Sequence, residues 1–145
     1  MRVILQRVSE ASVTVDEKVI GAIKNGLLIL AGFGKDDTEA NIEAMVNKIL
    51  KLRVFSDEND KINLSVTDIQ GELLAVSQFT LYWNCRKGTR PSFDGAMEPK
   101  RAEELYNIFV EKLRQSGLKT ETGSFGADMK VALVNDGPVT VELEI

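Results

Sequence analysis

The stretch KVALVNDGPVTVELEI, residues 130–145, decides how this chain is read. KVALV and VELEI alternate in the manner of strands. Between them lies NDGPVT, residues 135–140. Asn-Asp-Gly is turn chemistry, and proline lacks the N–H that a sheet ladder needs. Two strands joined at a Gly-Pro turn are the expectation. Asp-Gly alone would serve a hairpin, so the added Pro138 points to a purpose beyond chain reversal.

Upstream, the same signals give the other elements. Residues 2–8 predict a first strand, and residues 11–15 pair as a hairpin with residues 19–23 around Asp16-Glu17-Lys18. Asn25-Gly26 is a turn signal before residues 27–31, an apolar run suited to a strand buried on both faces. The period then becomes helical. Asp37 or Thr38 caps a helix whose inner face is Ile42, Met45, Val46, Ile49 and Leu50. Short strands at 53–55 and 62–66 flank a polar loop. Residues 72–81, ELLAVSQFTL, read as a central strand. Pro99 opens a second helix facing inward with Ala102, Leu105, Tyr106, Phe109 and Leu113, and Gly117 ends it. Residues 118–122 form one more strand.

No repeat, linker or low-complexity tract interrupts this pattern, so residues 1–145 are read as a single domain of the α+β class with a mostly antiparallel sheet. Two helices cannot cover both faces of so many strands. The sheet must curl on itself, pair with another subunit, or both.

Composition narrows the chemistry. The chain is 43% hydrophobic and 28% charged, ordinary for a water-soluble domain, and no apolar run approaches the length that spans a bilayer. The N-terminal residues alternate like a strand and not like a leader, and one cysteine excludes an internal disulfide, which favours the cytoplasm. A formal charge of −4 argues against a protein that coats nucleic acid, and no DNA partner is expected. The chain has no histidine. That removes Ser-His-Asp and Cys-His catalysis, and with a single cysteine it removes the usual zinc sites. Neither a metal nor a cofactor is expected.

Several segments carry candidate chemistry. Ser77 and Thr80 offer hydroxyls, and Gln78 and the local N–H groups offer donors, yet on this stretch alone strand-favouring and strand-end roles are the favoured explanation, and no histidine exists to activate either hydroxyl. Arg86, Lys87 and Arg90 put three cations within five residues of a Gly- and Pro-punctuated loop, suited either to solvent or to phosphate. Asp36-Asp37 reads as a helix N-terminus complementing the dipole. Residues 57–60 lack the spacing of a calcium loop. Cys85 has cationic neighbours but no histidine partner, and an inert thiol is favoured.

Taken together, SQFTL at residues 77–81, KGTRPSF at 87–93 and NDGPVT at 135–140 resemble the D-aminoacyl-tRNA deacylase family. QRVSEASVTV at 6–15 and TGSFGADM at 122–129 fit the same family, and the likeness runs end to end. It implies a homodimer with a curled, barrel-like sheet and two main helices packed outside. It implies cleavage of the ester between a D-amino acid, or glycine, and the terminal adenosine of tRNA. Ser77, Gln78, Phe79 and Thr80 would floor the pocket. Gly137 and Pro138, joined by a cis bond and lent by the partner subunit, would reject L-aminoacyl-tRNA. Phe125 and Met129 would line the adenosine pocket, Arg7 would neighbour the gate, and Arg86, Lys87 and Arg90 would meet acceptor-stem phosphates. The adenosine 2′-OH would assist catalysis. A hydrolase using Thr80 as nucleophile, and a non-catalytic RNA-binding module on the same fold, are the alternatives. Trp83-Asn84-Cys85 departs from the family, which often has Asp at position 84.

Overall fold

The computed structural model describes all 145 residues. The elements are β1 (Arg2–Val15), β2 (Lys18–Ile23), β3 (Gly26–Gly32), α1 (Glu39–Lys51), β4 (Arg53–Ser56), β5 (Ile62–Ser65), β6 (Glu72–Ser77), α2 (Pro99–Arg114), β7 (Thr120–Thr122) and β8 (Lys130–Glu144), with one 3-10 turn at Phe79–Tyr82. The main sheet runs β2-β1-β3-β6-β7, with β8 also paired to β1. It curls into a nearly closed, barrel-like layer, and both helices pack against its outer face. β4 and β5 form a separate two-stranded sheet. No helix is long and apolar enough to cross a membrane.

The sheet is mixed. Around β1 every pairing is antiparallel, whereas β3-β6 and β6-β7 are parallel. Parallel neighbours require crossovers, and α1 and α2 lie in those two connections. This explains the run GLLILAG in β3. Leu27, Ile29 and Ala31 face the helices, and Leu28 faces the inside of the curl, so every position is apolar. Gly26 admits the close approach of β6, since a Cβ there would lie 1.8 Å from the Glu72 carbonyl oxygen.

Both helices match their sequence signals. Thr38 is the N-cap of α1, and its N–H donates to Asn41 Oδ1 at 2.8 Å. Ile42, Met45, Val46 and Ile49 are buried. In α2 the inward residues are the expected ones plus Val110, and Gly117 takes a left-handed φ of 82° after the helix.

Three boundaries differ from expectation. Residues 2–8 and 11–15 belong to one strand, because β8 runs along β1 from Thr14↔Lys130 to Arg2↔Glu144 and bridges the break. For the same reason NDGPVT is not a turn between two paired strands. Both flanks pair with β1, and the segment is an irregularity inside β8, with register shifts between Gln6 and Glu10. The central strand stops at Ser77, well short of Leu81.

Candidate active site

β6 stops because its neighbour stops. Ser77 still pairs with Ala31 of β3, and the Gln78 N–H still donates to the Ala31 carbonyl at 2.8 Å. Beyond that, β3 has ended at Gly32, whose Cα lies so close that a Cβ would be 2.8 Å from the Gln78 carbonyl oxygen. With no ladder left, the chain winds into the 3-10 turn. Leu81 N–H donates to the Gln78 carbonyl at 3.2 Å, and Trp83 N–H to the Thr80 carbonyl at 3.1 Å. The N–H groups of Phe79 and Thr80 open this turn and reach no backbone acceptor. The Gln78 side-chain amide donates to the Thr80 hydroxyl.

A cavity of about 450 Å³ opens beside the turn. Ala31, Gly32, Val76 and Ser77 line it from the sheet. Phe79 stands at one side, Met97 comes from the segment before α2 and Ala102 from its first turn, and Phe125 and Met129 come from the segment before β8. Its polar side chains are Ser77 and Gln78, and its lining contains no acid, base, thiol or phenol. Thus Ser77, Gln78, Phe79, Phe125 and Met129 converge, as the motifs anticipate. Thr80 is not among the lining residues and adjoins them through Gln78. The contributions of Phe33, Met97 and Ala102 were not foreseen; the breaks at Gly32 and Pro99 were their only sequence signal.

Arg7, Gly137 and Pro138 lie elsewhere on the chain and line no part of this cavity. Gly137–Pro138 is a cis peptide bond, and Gly137 has a φ of 129°. The Arg7 guanidinium is buried behind this corner. Nε donates to the Asp136 carbonyl at 2.8 Å, and Nη1 donates to the Val54 carbonyl at 2.7 Å. The Asp136 carboxylate lies 3.8 Å from Nε. Residues 135–138 are exposed, and β8 has a sheet neighbour on only one side.

The cationic loop is closed at its base by two 2.8 Å backbone hydrogen bonds between Asn84 and Ser92. Asn84 Oδ1 accepts from the Arg86 N–H at 3.0 Å, a turn contact that an Asp carboxylate would make equally. Arg86, Lys87 and Arg90 are exposed, and none forms an ion pair. Phe79 meets Phe93 of the same loop edge-on, with ring centroids 5.0 Å apart.

One supporting network had no local signature. Asp37 was expected to complement a helix dipole. Instead its Oδ1 accepts from the Met1 ammonium at 2.5 Å, and its Oδ2 accepts from the Gly34 N–H at 2.6 Å and the Tyr82 hydroxyl at 3.3 Å. Met1 also donates to the Ile145 carbonyl at 2.7 Å. The Arg2 guanidinium covers the Tyr82 ring at 4.7 Å and donates to the Leu81 carbonyl at 3.2 Å. Burial and the Asp37 carboxylate push the Tyr82 phenol well above its ordinary range. The 3-10 turn is therefore held from behind by groups at the start of the chain. No group of three or more metal-ligating side chains lies together.

The family model described as D-Tyr-tRNA(Tyr) deacylase matches residues 4–144. The chain belongs to that family. A D-aminoacyl-tRNA deacylase of Thermotoga petrophila is 59% identical over 144 residues, covering 99% of this chain and 97% of the relative. The solved structure described as c-Myc DNA Unwinding Element Binding Protein is similar at a TM-score of 0.94 with 48% identity, covering 100% of this chain and 99% of that one. A probable eukaryotic D-amino acid tRNA deacylase shares the fold at a TM-score of 0.88 and 19% identity, with 99% and 98% covered. As a member of the deacylase family the chain is an enzyme, which sets aside the non-catalytic reading.

Proposed function

We propose that this deacylase cleaves the ester joining a D-amino acid to the terminal adenosine of tRNA, and glycine from mischarged tRNA, with the ribose 2′-OH assisting the water. The observation that carries this reading is the cavity's lack of any ionisable side chain. A general base must come within hydrogen-bond reach of the proton it removes, and this lining offers only a serine hydroxyl and an amide. An aminoacyl ester is already activated, and its neighbouring hydroxyl travels with the substrate. The protein's share is positioning, together with the free N–H groups of Phe79 and Thr80 as donors to the developing oxyanion. One such donor is worth about 2.7–4 kcal/mol in other enzymes.

Stereochemical selection fits a second copy of the chain. The Gly137–Pro138 corner is exposed, braced by Arg7, and belongs to an edge strand, while the cavity lacks it. Lent by a partner subunit, its main chain would crowd one face of the substrate α-carbon. An L side chain collides there, a D side chain points away, and glycine has nothing to collide. Ser77, Gln78 and Phe79 floor the pocket, Phe125 and Met129 hold the adenosine, and Arg86, Lys87 and Arg90 meet acceptor-stem phosphates.

The deciding experiment is paired hydrolysis of D- and L-aminoacyl-tRNA by catalytic amounts of protein. Release of the D-amino acid with the L-ester spared supports the reading; equal release, or none, refutes it. A tRNA ending in 2′-deoxyadenosine tests the assistance, and undiminished turnover on it would remove the 2′-OH from the mechanism.

A further inference from the structure

Two aromatic side chains stand out on the surface beside the cavity: Phe79 is 56% exposed and Trp83 57%. Phe79 is accounted for, since it lines the cavity and packs on Phe93. Trp83 is not. It contacts no other aromatic ring and lines no part of the cavity. Its place in the chain is informative. It caps the 3-10 turn that carries Phe79, and it immediately precedes the Asn84–Ser92 clamp of the loop holding Arg86, Lys87 and Arg90. Along the chain, an exposed indole thus stands between the turn that borders an uncharged chamber and three cations without ion-pair partners.

A ligand that fits this sequence of surfaces has a neutral end group, then a flat unpaired ring, then a polyanionic backbone. Single-stranded RNA has that form. A base stacks on an aromatic face whatever its identity, and cations take the phosphates that follow. Duplex nucleic acid hides its base faces and gives the indole nothing to stack on. We infer that Trp83 is the stacking platform for the unpaired nucleotide preceding the terminal adenosine of the substrate. This rests on the proposed reading of the cavity as the adenosine pocket.

Trp83 is the only tryptophan in the chain, so its fluorescence reports directly on the contact. Excited at the red edge of indole absorption, the wild-type protein should show saturable quenching with uncharged tRNA and none with AMP. No change at saturating tRNA would overturn the inference. So would a change that follows dilution of the protein alone, which would assign the indole to contact between copies. In kinetics, Trp83→Ala should raise KM for D-aminoacyl-tRNA about fivefold or more with kcat little altered, and Trp83→Phe should restore it. On a D-aminoacyl ester of adenosine alone, the ratio of wild-type to variant kcat/KM should fall to near one. An unchanged KM on tRNA, or equal loss on both substrates, would overturn the assignment. Failure of the wild type to hydrolyse any D-ester would instead sink the deacylase reading, with the fluorescence result standing apart from it.

Discussion

Around the cavity, every hydrogen-bonding group the chain offers is neutral; at the Asp136–Gly137 corner, strands β8 and β4 are tied to β1 by one buried charge. Ser77 and Gln78 sit among apolar neighbours and exchange few bonds. Arg7 gives its donors to the carbonyls of Asp136 and Val54, joining β8 to β4 through β1. A chamber held by packing tolerates loss of a hydroxyl. A corner held by one guanidinium does not tolerate its loss, because the buried Val54 carbonyl would be left without a partner and the Asp136 carbonyl would lose its brace. The chamber has room and no charge; the corner has a buried charge and an exposed main chain.

Substitutions can break or sharpen this contrast. The largest effect is expected from Gly137→Ala. The φ of 129° is strained for any L residue, and the added methyl would sit 3.0 Å from the Arg7 guanidinium. A shifted corner should lower kcat/KM on D-aminoacyl-tRNA about a hundredfold, and activity within twofold of wild type would separate the corner from the site. Arg7→Ala comes next. Denaturant unfolding should show a loss of about 1–3 kcal/mol, and the ratio of D- to L-ester hydrolysis should collapse; intact selectivity would deny Arg7 its bracing role. Thr80→Val should be milder, with kcat reduced less than about tenfold, whereas removal of a covalent nucleophile costs several powers of ten. A loss of that larger size in single-turnover assays would revive the Thr80 nucleophile.

The smallest effect concerns the wall behind the cavity. The Tyr106 hydroxyl donates to the Ala75 carbonyl of β6 at 2.8 Å, and its ring lies 5.9 Å from that of Phe125. Burial pushes the phenol up to about 12 from its ordinary 10.0. The folded state therefore holds this proton more tightly than the unfolded chain. The resulting stability is full below the unfolded value and is lost as pH rises through the folded one. Tyr106→Phe should cost about 1 kcal/mol at neutral pH and flatten the alkaline decline. An unchanged alkaline slope would show that another group sets it.

Helices were legible because their signals are local. Ile42, Met45, Val46 and Ile49 repeat at helical spacing, and Pro99 and Gly117 mark ends that need no tertiary partner. Strand ends were less legible because a strand depends on its neighbours. Asn135 to Gly137 carries turn chemistry, yet β1 offers a continuous edge on both flanks and the strand resumes. Glu72 to Leu81 carries strand chemistry, yet β3 ends at Gly32 and leaves nothing to pair with. The parallel pairings of β6 are set by crossovers that alternation does not encode. The site motifs were visible as clusters of residue types, and the convergence of Ser77 with Phe125 and Met129 follows from the parallel β6-β7 step. The Met1–Asp37 contact had no signal, since only the closed fold brings those residues together.

The uncharged chamber also fixes how this enzyme could be stopped. Reagents that acylate an activated serine, alkylate a catalytic thiol or esterify a reactive carboxylate would find no such partner inside it, and Cys85 lies outside the lining. A useful blocker would have to win by shape, as a hydrolysis-resistant mimic of the aminoacylated nucleoside.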